Sequence, residues 1–133
     1  MRSAFAACLL SAMALTPASA GEGGFAKPTL VIEQPVAGMP SGSAQSVRVL
    51  TATFKPGDRT VPHTHRYPVT VYVLEGAFTL EVKGEQPVIV KAGEAMVEPA
   101  DSEMIGYNRT DGETRVVIFY LSKPAEPFLD AMK

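Results

Sequence analysis

Pro62-His63-Thr64-His65-Arg66-Tyr67-Pro68 runs directly into Val69-Thr70-Val71-Tyr72-Val73-Leu74-Glu75-Gly76-Ala77-Phe78-Thr79-Leu80-Glu81-Val82. Val69 to Leu74 and Ala77 to Val82 are β-branched and apolar and flank a Glu75-Gly76 turn signal, which reads as two strands joined tightly. On a strand, positions i and i+2 point to the same side, so the imidazoles of His63 and His65 converge. Converging neutral imidazoles suit Zn, Cu, Fe or Ni. The plainer alternative is a pair of surface or loop histidines flanked by Pro62 and Pro68.

Outward from this stretch the chain stays β. Upstream, Ser46 to Phe54 alternates through β-branched residues and stops at the turn signal Lys55-Pro56-Gly57-Asp58. Thr29 to Gln34 predicts a first strand, and Pro35 to Ser46 a long Gly/Pro/Ser-rich loop. Downstream, Pro87 to Lys91 precedes Ala92-Gly93-Glu94, and Ala95 to Glu98 and Thr114 to Leu121 complete the set. Short strands punctuated by turns about every 8–12 residues, without helical periodicity, predict an all-β sandwich or barrel. Only the end is open to another reading: Pro127 to Met132 is either one helical turn or a tail that packs Phe128 and Leu129 on the barrel or on a neighbouring subunit.

The composition narrows the chemistry. The chain has 133 residues, two His, one Cys and a net charge of −2. That is a single domain's worth of chain. The charge leaves no electrostatic footprint for nucleic acid. Two histidines are too few for a three-His metal centre, and one cysteine forms neither an intrachain disulfide nor a Cys-based zinc cluster.

The amino terminus reads as an address. Arg2, a charge-free apolar stretch from Ala4 to Leu15, and Ala18-Ser19-Ala20 form the three-part layout of a secretory signal peptide. The stretch is short of the roughly 20 residues that a spanning helix needs. Cleavage before Gly21 removes Arg2, the one charged residue of that segment, and Cys8, so the mature net charge becomes −3. The expected organisation is a signal peptide over residues 1–20, a lead-in strand and loop over 21–45, and a barrel over 46–133. The expected location is the bacterial periplasm, with no membrane association after cleavage.

At Gly57, His63, His65 and Gly76 the chain resembles the first motif of the cupin family, small barrels of the jelly-roll type. Gly93, Pro99 and Asn108 match the second motif in register. The resemblance covers roughly Arg48 to Leu121 and implies a cupin-type jelly-roll β-barrel. It departs from the family at three places: Val69 stands in the slot of a ligating Glu, Met104 in that of a ligating His, and Asp101 in that of a Gly. His63, His65, Val69, Val71 and Val73 share one parity and face the interior, which places Val69 rather than Thr70 in the Glu slot. Two of four expected ligands are thereby lost.

The remaining set is His63, His65 and Met104. It suits Cu(I), which is soft and accepts thioether and imidazole; alternatively Met104 is an apolar plug. Arg66 and Tyr67, just beyond the histidines, are candidate ligand contacts, while Glu98, Asp101 and Glu103 read as solvated charge near the mouth. Three functions follow. The chain binds a small molecule or a metal ion inside the barrel without turnover; or it is a metal-dependent enzyme of the dioxygenase or isomerase type that the family includes; or it is a periplasmic copper-binding protein using His63, His65 and Met104. The cofactor is accordingly one divalent or copper ion, or none. By resemblance the partner is a second copy of the chain, in a homodimer.

Overall fold

The computed structural model describes residues 23–133, so the signal segment 1–20 lies outside the described residues. In chain order the strands are β1 (Ser46–Phe54), β2 (His63–Thr64), β3 (Val69–Glu75), β4 (Ala77–Val82), β5 (Val88–Lys91), β6 (Ala95–Glu98), β7 (Met104–Tyr107), β8 (Thr114–Ser122) and β9 (Asp130–Ala131). They form two antiparallel sheets, β1-β8-β3-β6 and β5-β4-β7-β2-β9, with no helix among the described residues. This is the all-β architecture that the alternation predicts, in the jelly-roll arrangement that the resemblance implies.

Side-chain parity sets the inside. Val69, Val71 and Val73 on β3 are buried, whereas Thr70 and Tyr72 between them are only partly covered. Phe78, Leu80 and Val82 from β4, Met96 from β6, Met104 from β7 and Val116 and Tyr120 from β8 fill the rest of the core. Each such side chain contributes about 1.5–3 kcal/mol of transfer free energy. With no intrachain disulfide to draw on, this burial holds the domain together.

Two turn residues show why the motif positions are what they are. Gly76 joins β3 to β4 at φ +74°, and a Cβ there would stand 2.6 Å from both the Glu113 carbonyl and Thr114 Oγ1. Only glycine fits. Asp101, where the family motif has glycine, adopts φ +53°, a left-handed conformation that Asp tolerates better than most residues. Its N–H donates to the His65 carbonyl at 2.7 Å, tying the β6–β7 turn to the histidine segment.

Asn108 is structural. It is buried, its amide donates to the carbonyls of Phe54 and Gly112 at 2.9 and 2.8 Å, and its own oxygen accepts from the Thr110 N–H at 2.9 Å.

The ends of the chain differ from expectation. Thr29 to Gln34 belongs to no ladder among the described residues. The lead-in lies against the outer face of the first sheet, with Ile32 and Val36 in a groove beside Thr70, Val97 and Phe119. Its apolar side chains find contact there, but its backbone has no adjacent strand to bond, and a lone strand is not stable. At the other end there is no helical turn. Residues 130–131 pair with β2 instead, and Phe128 packs on the core.

Candidate metal centre

The site is built where the two sheets face each other at one end of the barrel. On the second sheet, Val82, Met104, His63 and Ala131 form one continuous cross-strand row. On the first, the corresponding inward row is Arg48, Tyr120, Val69 and Glu98. Val69 and Glu98 are direct antiparallel partners, so their side chains lie on the same face as neighbours. The carboxylate missing from position 69 is therefore supplied from the adjacent strand, by the residue directly opposite.

Glu98, expected to be solvated, is 5% exposed. It shares the inward parity of Met96 on β6. That parity was the available signal; reading Glu98 with the loop that begins at Pro99 concealed it.

His63, His65 and Glu98 bring one donor atom each within 4.8 Å of one another, all three buried. His63 Nε2 lies 3.1 Å from His65 Nε2, and His65 Nε2 lies 3.2 Å from Glu98 Oε2. Donors about 2.1 Å from a shared ion, at angles of roughly 90–110°, stand about 3.0–3.4 Å apart, so the spacing fits a bound metal.

The other ring nitrogens fix the tautomers. His63 Nδ1 is 2.7 Å from the Val61 carbonyl and His65 Nδ1 is 2.7 Å from the Phe128 carbonyl. A carbonyl oxygen only accepts, so both Nδ1 atoms carry hydrogen and donate. In the neutral rings both Nε2 lone pairs then face each other and the carboxylate. Three acceptors then meet with no donor between them, an arrangement that a bound cation would satisfy. Carbonyl partners of this kind orient metal-ligating imidazoles generally. Burial holds the His63 imidazole below its ordinary pKa and the nearby His65 adds to this, outweighing the opposing pull of the Val61 carbonyl and the Glu98 charge. A proton is therefore disfavoured on His63.

The cavity at these three residues measures about 50 Å³, and its walls include Phe54, Val71, Phe78, Ile118, Phe128 and Leu129. That accommodates an ion with a few waters, far less than the roughly 300–1,000 Å³ of a small-molecule pocket. Larger cavities are surface grooves: one of about 600 Å³ lies between the lead-in and strands β5 and β6.

The other candidates fall as follows. Met104 is buried opposite His63 in the ladder but is not among the cavity's walls. Arg66 turns outward, donating to Asp130 at 2.8 and 3.1 Å and pairing with Glu126. Tyr67 packs its ring 6.2 Å from that of Tyr120. Asp101 is exposed, and Glu103 pairs with Lys83 at 2.6 Å on the surface.

The sequence profile of the cupin domain matches residues 50–120, more than half of the chain. The chain belongs to the cupin family. Solved structures of similar fold include a cupin-like protein from Thermotoga maritima, 23% identical with a TM-score of 0.54, matched over 65% of this chain and 64% of that one. An oxalate oxidase in complex with the substrate analogue glycolate is 21% identical with a TM-score of 0.55, over 65% of this cupin and 46% of the oxidase. A DMSP lyase from Ruegeria pomeroyi is 14% identical with a TM-score of 0.55, over 65% and 43% respectively. The cupin thus spans less than half the length of either enzyme; these likenesses are of fold. A comparison with curated proteins finds no match.

Proposed function

We propose that this cupin binds one divalent metal ion through His63, His65 and Glu98. The observation that carries the proposal is the convergence of three acceptors whose remaining imidazole nitrogens are both committed to backbone carbonyls. Two imidazoles and a carboxylate favour Fe(II), Mn(II), Ni(II) or Zn(II) over Cu(I), which the thioether of Met104 would have favoured. The test is metal analysis of the purified protein alongside titration of the metal-free form with Fe(II), Mn(II), Zn(II) and Cu(I). One equivalent of a divalent ion, lost in both His63→Ala and Glu98→Gln, is the expected result; stoichiometric Cu(I) that depends on Met104 but not on Glu98 would restore the copper reading.

A metal-dependent enzyme is the second reading, favoured by the ligand count. Three protein ligands leave further positions on the ion free, and a bound ion there would act as a Lewis acid toward a coordinated oxygen. The walls around it are mostly apolar and include no Lys or Arg.

Export and pairing complete the proposal. Export rests on the layout of residues 1–20, and a mature protein starting at Gly21 in a periplasmic fraction is its test. A homodimer is supported by the exposed apolar row of Val47 and Val49 on the edge strand β1, beside Phe119 on β8. Sedimentation of the wild type and of Val49→Lys distinguishes a dimer from a monomer.

A further inference from the structure

The small cavity at the metal centre has one wall unlike the others. Its lining comes from β1, β3, β4, β6 and β8, strands of four to nine residues within ladders, and from Thr60 and the two histidines around the short β2. The remainder is the carboxy-terminal segment, which places Phe128 and Leu129 against the cavity and then pairs through the two residues of β9. The Phe128 ring stands 4.9 Å from that of His65 and 5.4 Å from that of Tyr120, so it sits directly on a ligand. With the segment in place His63, His65 and Glu98 are all buried.

Inside the barrel this segment is held by the Phe128 ring on the core, by the Phe128 carbonyl, which accepts from His65 Nδ1, and by the Glu126 carbonyl, which accepts from Arg48; its other attachments are at the surface. Thr64 pairs with Asp130 and His63 with Ala131, and the Met132 N–H donates to the Pro62 carbonyl at 2.8 Å. Arg66 clasps Asp130 and Glu126 from outside, in pairs roughly a quarter to a half exposed. Such pairs are weakened by salt. Near the start of the segment, just after β8, lies Ala125 at φ +65°, a left-handed conformation unfavourable for alanine, so the connection is itself strained. Short pairing, an exposed ionic clasp and a strained connection mark the part of the barrel that opens at least cost.

Resting on the metal-binding reading, we infer that the segment from Pro124 to Met132 is a displaceable lid over the centre, latched by Arg66, and that ions and any coordinating ligand reach the ion through its opening. The lid also acts on the ligand set. Its Phe128 carbonyl holds the hydrogen on His65 Nδ1, so closure presents the Nε2 lone pair and opening releases it. Arg66 is a positioning residue here: it touches neither the ion nor its ligands.

Two measurements test the lid separately from the metal. In the first, protein loaded with Co(II) is mixed with excess EDTA and the loss of the cobalt spectrum is followed. Arg66→Ala and Asp130→Asn should release cobalt about three- to fivefold faster, the most that an exposed ionic clasp can supply, while still binding one equivalent. Raising NaCl should accelerate release from the wild type and not from Arg66→Ala; Lys83→Ala, which breaks a distant surface pair, should change nothing. Rates within twofold of wild type in both clasp variants, without salt dependence, overturn the lid. In the second, amide hydrogen exchange of the metal-free protein is followed by mass spectrometry. The peptide covering 123–133 should exchange well before β3 and β8, and faster again in Arg66→Ala; protection equal to that of β8 overturns the lid. A protein that takes up no cobalt refutes the metal reading alone, and the exchange experiment still decides the lid.

Discussion

Glu98→Gln separates a metal ligand from a structural carboxylate, because the two roles predict opposite signs. In the metal-free wild type, Glu98 Oε2 faces His65 Nε2 at 3.2 Å, acceptor against acceptor in the neutral ring. A glutamine amide in the same place donates to that nitrogen, and one such hydrogen bond contributes about 0.5–1.5 kcal/mol. The metal-free variant should thus unfold at the same temperature as wild type or a few degrees higher. With metal the order reverses. At a free ion concentration a hundred times Kd, binding stabilises the wild type by about 2.7 kcal/mol. For a domain of this size that raises Tm by about 10 °C. Losing a charged ligand weakens binding about a hundredfold or more, which leaves about 0.4 kcal/mol at the same ion concentration and a rise of about 2 °C. Differential scanning calorimetry with and without Zn(II) or Mn(II) reads both effects. A metal-induced shift equal to wild type's refutes Glu98 as a ligand; a metal-free variant destabilised by several kcal/mol refutes the account of opposed acceptors.

Three further outcomes follow from the same geometry. Since Val69 and Glu98 are cross-strand partners, Val69→Glu adds a second buried carboxylate and should lower metal-free stability by more than about 3 kcal/mol, whereas Val69→Glu/Glu98→Val moves the ligand across the ladder and should retain one bound ion by titration. His63 holds its proton less tightly when folded than when unfolded. Its contribution to stability is therefore complete above about pH 6.5 and declines as pH falls below that toward the lowered native value; urea midpoints of the metal-free protein should drop more between pH 7.5 and 5 in wild type than in His63→Gln, and parallel curves would contradict this. Asp101→Ala should cost about 1 kcal/mol at its left-handed φ while Asp101→Gly costs nothing or stabilises slightly, both read from urea unfolding.

What the sequence made legible was local. Alternation marked β1, β3, β4 and β8, and turn glycines such as Gly76 sit where the chain bends with positive φ. Parity put Val69 inside and Thr70 outside; Val69 is buried, and Thr70 is half-covered. The convergence of His63 and His65 also follows from spacing alone, and their Nε2 atoms do meet. What was hidden depends on register between strands distant in the chain. No local pattern reveals that Glu98 pairs with Val69, so the loss of a carboxylate at one position looked like the loss of the site. The tail was equally illegible, because β9 owes its existence to the exposed edge of β2 and the clasp of Arg66 rather than to any propensity of Asp130 and Ala131. The lead-in shows the converse: Thr29 to Gln34 has strand composition and no ladder to join.

X-ray absorption at the edge of the metal that the protein binds stoichiometrically is the most direct test of the centre. The account predicts a first shell of nitrogen and oxygen only, with the multiple-scattering signature of two imidazoles, and loss of one oxygen neighbour in Glu98→Gln. A sulfur neighbour from Met104, or an imidazole count that leaves either His63 or His65 outside the shell, would contradict it.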